Sequence, residues 1–138
     1  MKTLGKIITI ILIVLTFFLA IPAILGGISL LIGFGSPPVE MLQGSLFNNW
    51  IIPGLALMLI VGGSALFAAV LLLRKSKYAL LASTTAGTII MFFEFVEALT
   101  IGSPAGVAFT LQVIYFGVGT LMIVLAMGIW FLELRAES

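Results

Sequence analysis

The sequence predicts an all-α integral membrane bundle of four antiparallel transmembrane helices, with a short interfacial helix in the outer loop between helices 1 and 2. Three observations carry that expectation. The 138 residues are 62% hydrophobic and 8% charged, whereas a domain facing water usually has about a quarter of its residues charged. The apolar residues fall into four runs, at about 7–35, 51–73, 78–101 and 104–131, and each is long enough to cross a hydrocarbon layer that needs roughly 20 residues of helix. Every basic residue falls on one side of the bundle that these runs would make. The length fits a single domain covering the whole chain.

The first run, from Ile7 to Gly35, contains no ionisable residue. Its start, Met1 to Lys6, resembles the charged head of a signal peptide. The apolar stretch is about twice the ~7–15 residues of such a segment, so a retained span is expected. The second run opens near Ile51 and stops at Arg74-Lys75-Ser76-Lys77. The third starts at Tyr78 and ends near Ile101. Gly102-Ser103-Pro104 then reads as a double boundary, with Gly at the end of one helix and Ser and Pro as cap and first turn of the next. The fourth run ends near Phe131, before the polar tail from Glu133 to Ser138. Links this short force the second, third and fourth spans to be antiparallel neighbours.

Orientation follows from the charges. With the N-terminus in the cytoplasm, Lys2, Lys6, Arg74, Lys75, Lys77 and Arg135 all lie inside, and the outer segments 36–50 and 102–104 have no Lys or Arg. Excess Lys and Arg on cytoplasmic segments is what sets topology. The expected location is therefore the cell membrane, multi-pass, with both termini cytoplasmic. Trp50, Tyr78 and Trp130 suit the aromatic belts at the two interfaces. The outer segment 36–50 contains one helix start, at Ser36-Pro37, and Val39, Leu42 and Leu46 would form its apolar stripe on the membrane surface. It reads as a connector, or as a lid over an outward-facing cavity.

Composition also removes function classes. The chain has no Cys and no His. That leaves out disulfides, thiolate chemistry, zinc–thiolate sites and imidazole ligands to metals or haem. A net charge of +1 with no basic groove gives no reason to expect nucleic acid. Walker, dinucleotide and metalloprotease motifs are absent. No cofactor and no enzymatic activity is expected.

One feature stands out chemically. Glu94 and Glu97 sit within the third run, three residues apart and so on one helix face. At 1.5 Å per residue they lie about 24 and 28 Å beyond Tyr78, in the outer half of the membrane. An acid at the centre of a membrane helix is disfavoured by roughly 2.5–3.5 kcal/mol, so such residues usually face the bundle or an aqueous cavity. Counting along the other spans places Gln112, Gly62-Gly63-Ser64, Pro22 and Gly26-Gly27 near the same height. Tyr115 shares a helix face with Gln112. Burial disfavours a charged carboxylate and a second carboxylate disfavours charging both, so the pair is expected to share one proton. With no Lys or Arg in the outer half, a proton, an outside cation or a partner must neutralise it.

The candidate ligand or ion site is thus Glu94, Glu97, Gln112, Tyr115 and Ser64. The plainer reading has Glu94 bonding to Gln112 and pinning the third helix to the fourth. Ser83, Thr84, Thr85 and Thr88 are expected to bond back to their own helix. The small-residue pairs Ala82/Ala86, Ser83/Gly87 and Ala65/Ala69 serve close packing. Two functions follow: binding or transport of a cation or small polar ligand, possible proton coupling included, or service as an accessory or assembly subunit of a larger membrane complex. Four helices enclose little space, so transport is expected to need a homo-oligomer or larger assembly. The partners expected are the lipid bilayer and that assembly.

Overall fold

The computed structural model describes residues 2–35, 37–102 and 106–137. It is all-helical, with no strand among these residues. Four of its helices are long and apolar enough to cross a membrane. The first is Lys2–Ile32 and the second Ile51–Leu73. The third is Ala79–Ile101 and the fourth Val107–Glu137.

The first helix ends three residues before the Gly35 boundary expected for it. Gly33 and Gly35 take φ of 78° and 69°, and the amide of Phe34 donates back to the carbonyl of Ser29 at 3.1 Å. This is the six-to-one closure of a left-handed helix end. The second helix closes in the same way at Lys75, with φ 54° and the Ser76 amide on the Leu71 carbonyl at 3.0 Å. Ser76 then starts the third helix, its hydroxyl accepting the Tyr78 amide at 3.1 Å. Of the boundaries expected from sequence, the helix start at Ser36 and the caps at Ser103 and Pro104 lie outside the described residues.

The second helix holds a feature that its sequence did not announce. Residues Ala56–Gly62 form a π-helical segment between α-helical ends. A wider turn of this kind rotates the faces presented on either side of it, and such segments recur at functional sites. The outer loop also differs from expectation. Val39–Leu42 is a single 3₁₀ turn, and its residues do not form an apolar stripe. Leu42 is buried at 2% exposure, while Leu46 is 96% exposed.

Glycines set the spacing of the helices. A Cβ on Gly27 would fall 2.7 Å from the Gly54 carbonyl oxygen, and one on Gly87 would fall 2.7 Å from the Gly119 carbonyl oxygen. The first and second helices, and the third and fourth, therefore approach backbone to backbone. Between these contacts lies a core of Leu12, Leu19, Val61, Ile90 and Met122, filled in by Ala65, Ala68, Ala86 and Ala126. The outward faces are apolar as well, with Ile10, Val14, Leu81, Phe92 and Val124 all more than half exposed.

Candidate functional site

The third helix turns Glu94 into the bundle, where it is 7% exposed. Glu97, one turn later on the same face, is half-buried. Both acidic side chains line one cavity. Oε2 of Glu94 is enclosed and has no hydrogen-bond partner. A buried polar atom without a partner is costly and rare, and asks for a proton, a water, an ion or a ligand.

Glu94 belongs to the wall of a cavity of about 290 Å³ which draws on all four helices. Pro22 comes from the first helix, Val61 from the second, Glu94 and Glu97 from the third, and Tyr115 from the fourth. Tyr115 is held in place by stacking on Phe18, with ring centroids 6.1 Å apart. Of the residues that counting places near the height of Glu94, Pro22 and Gly26 line this cavity.

Two of the five candidate residues stand elsewhere. Gln112 is buried but does not bond to Glu94. Its Nε2 donates to the Gly102 carbonyl at 3.0 Å, so it ties down the end of the third helix. The bond to Glu94 expected from counting is therefore not made. Ser64 lies beyond the π segment and donates to the Val61 carbonyl at 3.0 Å. The second helix presents Leu57 and Val61 to the cavity instead, while Gly62 packs so tightly that a Cβ would meet Ile24 Cγ1 at 2.6 Å.

Three residues that sequence reasoning did not assign to the site complete it. Pro37, Met41 and Trp50, from the loop between the first and second helices, also line the cavity. The Trp50 indole N–H donates to the Pro37 carbonyl at 2.8 Å, so one end of the loop is latched to the other above the acids. A tryptophan beside a predicted span reads as an interfacial anchor, and no local signal marks a bond across thirteen residues. Of the four residues expected to bond back to their own helix, Ser83, Thr85 and Thr88 each donate to the carbonyl four residues back at 2.8 Å.

Among the described residues, no group of three or more acidic side chains gathers to hold a metal ion. No protein-family model matches the chain, and neither a curated protein nor a solved structure does.

Proposed function

We propose that the chain is a four-span membrane protein that binds a cation or small polar ligand at Glu94 and Glu97. The observation that carries this reading is Glu94 on the wall of a cavity lined by all four helices, buried and with one carboxyl oxygen unpartnered. Retaining a polar atom there opposes stability unless something occupies it. The competing role, a subunit whose acids pair with a basic residue of a larger partner, needs those acids on the outer surface. The inward burial of Glu94 counts against it.

In this reading the helices alternate in direction. Gly27 meets Gly54 and Met58, and Gly87 meets Gly119 and Met122. In each pair a residue late in one helix faces one early in its neighbour, or two midpoints meet. The basic segments then share one face, which the positive-inside bias assigns to the cytoplasm. The Val39–Leu42 turn lies at the opposite, outer interface, and the cavity beneath it is approached from outside. Transport, if the site serves it, requires an assembly of several copies.

The test is thermal stability of the purified chain in nanodiscs, with sodium, calcium, ammonium and tetramethylammonium ions. At least one cation raises the Tm of wild type and leaves Glu94→Gln unmoved. If none shifts wild type, the acid pair is not a cation site and the accessory-subunit reading takes its place.

A further inference from the structure

A second cavity, of about 580 Å³, lies between the second and third helices. It shares Leu30, Trp50, Leu57, Val61, Phe93 and Glu97 with the first, so one wall serves both. Its own lining is apolar apart from Glu97, Thr88 and Thr100. Both threonine hydroxyls donate to carbonyls of their own helix at 2.8 Å, and the Trp50 N–H is engaged by Pro37. The Glu97 carboxyl is therefore the polar group left to offer, and it stands at the junction with the cavity of Glu94. Ile52, Ile60 and Phe92 on the groove are 60%, 56% and 67% exposed, so the groove opens sideways from the bundle. The π segment builds much of this wall, and the smallest of its residues on the groove, Ala56, leaves space that a larger residue would fill.

We propose that the ligand of this site is an amphiphilic organic cation, with its charged head at Glu94 and Glu97 and its apolar tail in the groove between the second and third helices. The proposal rests on the reading of the acid pair as a binding site, and names the class of molecule that fits it.

Charge selects the head. None of the described lining residues of either cavity is basic, so a cation meets two acids and no repulsion, whereas an anion meets no counter-charge. Ligand count disfavours the divalent ions. Calcium takes six to eight oxygens and magnesium a near-octahedral set, whereas this wall pairs two carboxyl groups with hydrocarbon. The rings of Trp50, Phe93 and Tyr115 also border the head-group cavity, and aromatic faces attract alkylammonium ions better than they attract a hydrated metal. Shape selects the tail, because a small polar cation would leave the apolar groove empty. Entry from the side suits a molecule already dissolved in the bilayer, and the groove, at about 580 Å³, falls in the range of roughly 300–1,000 Å³ common for small-molecule sites.

The test uses Trp50 as reporter in a Trp130→Phe background, with the chain in zwitterionic nanodiscs. The probe is a trimethylammonium ion carrying a brominated twelve-carbon chain, whose bromine quenches indole fluorescence at short range. Quenching is expected to saturate and to be reversed by the unbrominated cation. Glu94→Gln and Ala56→Phe, each checked for an unchanged elution profile and a cooperative Tm, should weaken it at least about tenfold. The neutral alcohol with the same brominated chain should give only the linear quenching of bilayer partition. Saturable quenching by the alcohol, or binding indifferent to both substitutions, overturns the proposal. If tetramethylammonium stabilises wild type but the long-chain cation never saturates, the acid site stands and the amphiphile falls. If only sodium, calcium or ammonium stabilises wild type, the acid site likewise stands and the amphiphile falls, and if no cation acts, both fall together.

Discussion

Gln112 and Glu94 are each 7% exposed, yet one is partnered and the other is not. The Gln112 amide closes onto the Gly102 carbonyl, a bond that fixes where the third helix ends. Glu94 keeps an oxygen without a donor. The two residues should therefore separate cleanly on substitution. Gln112→Leu leaves a carbonyl unpaired and should lower stability by roughly 1 kcal/mol, with tetramethylammonium binding unchanged. Glu94→Leu removes an unpartnered polar atom, and should hold or raise the Tm while abolishing binding. Reversible unfolding in mixed micelles, read beside the cation titration, checks both. A Glu94→Leu protein less stable than Gln112→Leu would mean that Glu94 holds the fold rather than a ligand. The acids themselves were legible, because a carboxylate in a long apolar run has few innocent explanations. The partner of Gln112 was not, since spacing fixes a residue's height but not the direction in which a long side chain reaches.

At the scale of the helix, small residues decide how closely the elements approach. Gly87 and Gly119 face one another, and a Cβ on either would sit 2.7 Å from the other's carbonyl oxygen. Backbone cannot move aside as a side-chain tip can. Gly87→Ala or Gly119→Ala should each destabilise by about 1–3 kcal/mol through forced separation of the third and fourth helices. Gly117 and Gly128 lie on the same fourth helix with nothing within 4 Å of an added Cβ, so alanine there should change stability by less than about 0.5 kcal/mol. Equal Tm values for all four variants would remove the close glycine contact as the organising feature of this pair. The Ser83/Gly87 pair had already pointed to this face from its four-residue spacing. The π segment at Ala56–Gly62 had no such signal. Its residues are ordinary apolar ones, and the extra residue in the turn is set by how the second helix must meet its neighbours, so Ser64 was assigned to a face that it does not occupy.

For the whole molecule, the solvent is the deciding term. Only 28–33% of each spanning window is buried inside the bundle, so most of the side-chain surface of four apolar helices faces outward. Burying such surface is worth roughly 25 cal/mol per Å², so four helices this long and apolar are compatible with a multi-pass membrane protein. This much was readable from composition, because a chain with 8% charged residues cannot coat itself for water. Direction across the bilayer is a separate matter, set by the six basic residues, all placed at the same end of the proposed bundle. The absence of Cys makes that direction directly measurable, since any thiol introduced is the only one present. Asn48 in the outer loop and Ser76 in the link between the second and third helices lie at opposite ends of the second helix. In intact cells, a membrane-impermeant maleimide should label Asn48→Cys at once, and should label Ser76→Cys only after the membrane is opened. The opposite pattern would invert the topology and turn the mouth beneath Trp50 toward the cytoplasm. The ligand for Glu94 would then have to be sought inside the cell.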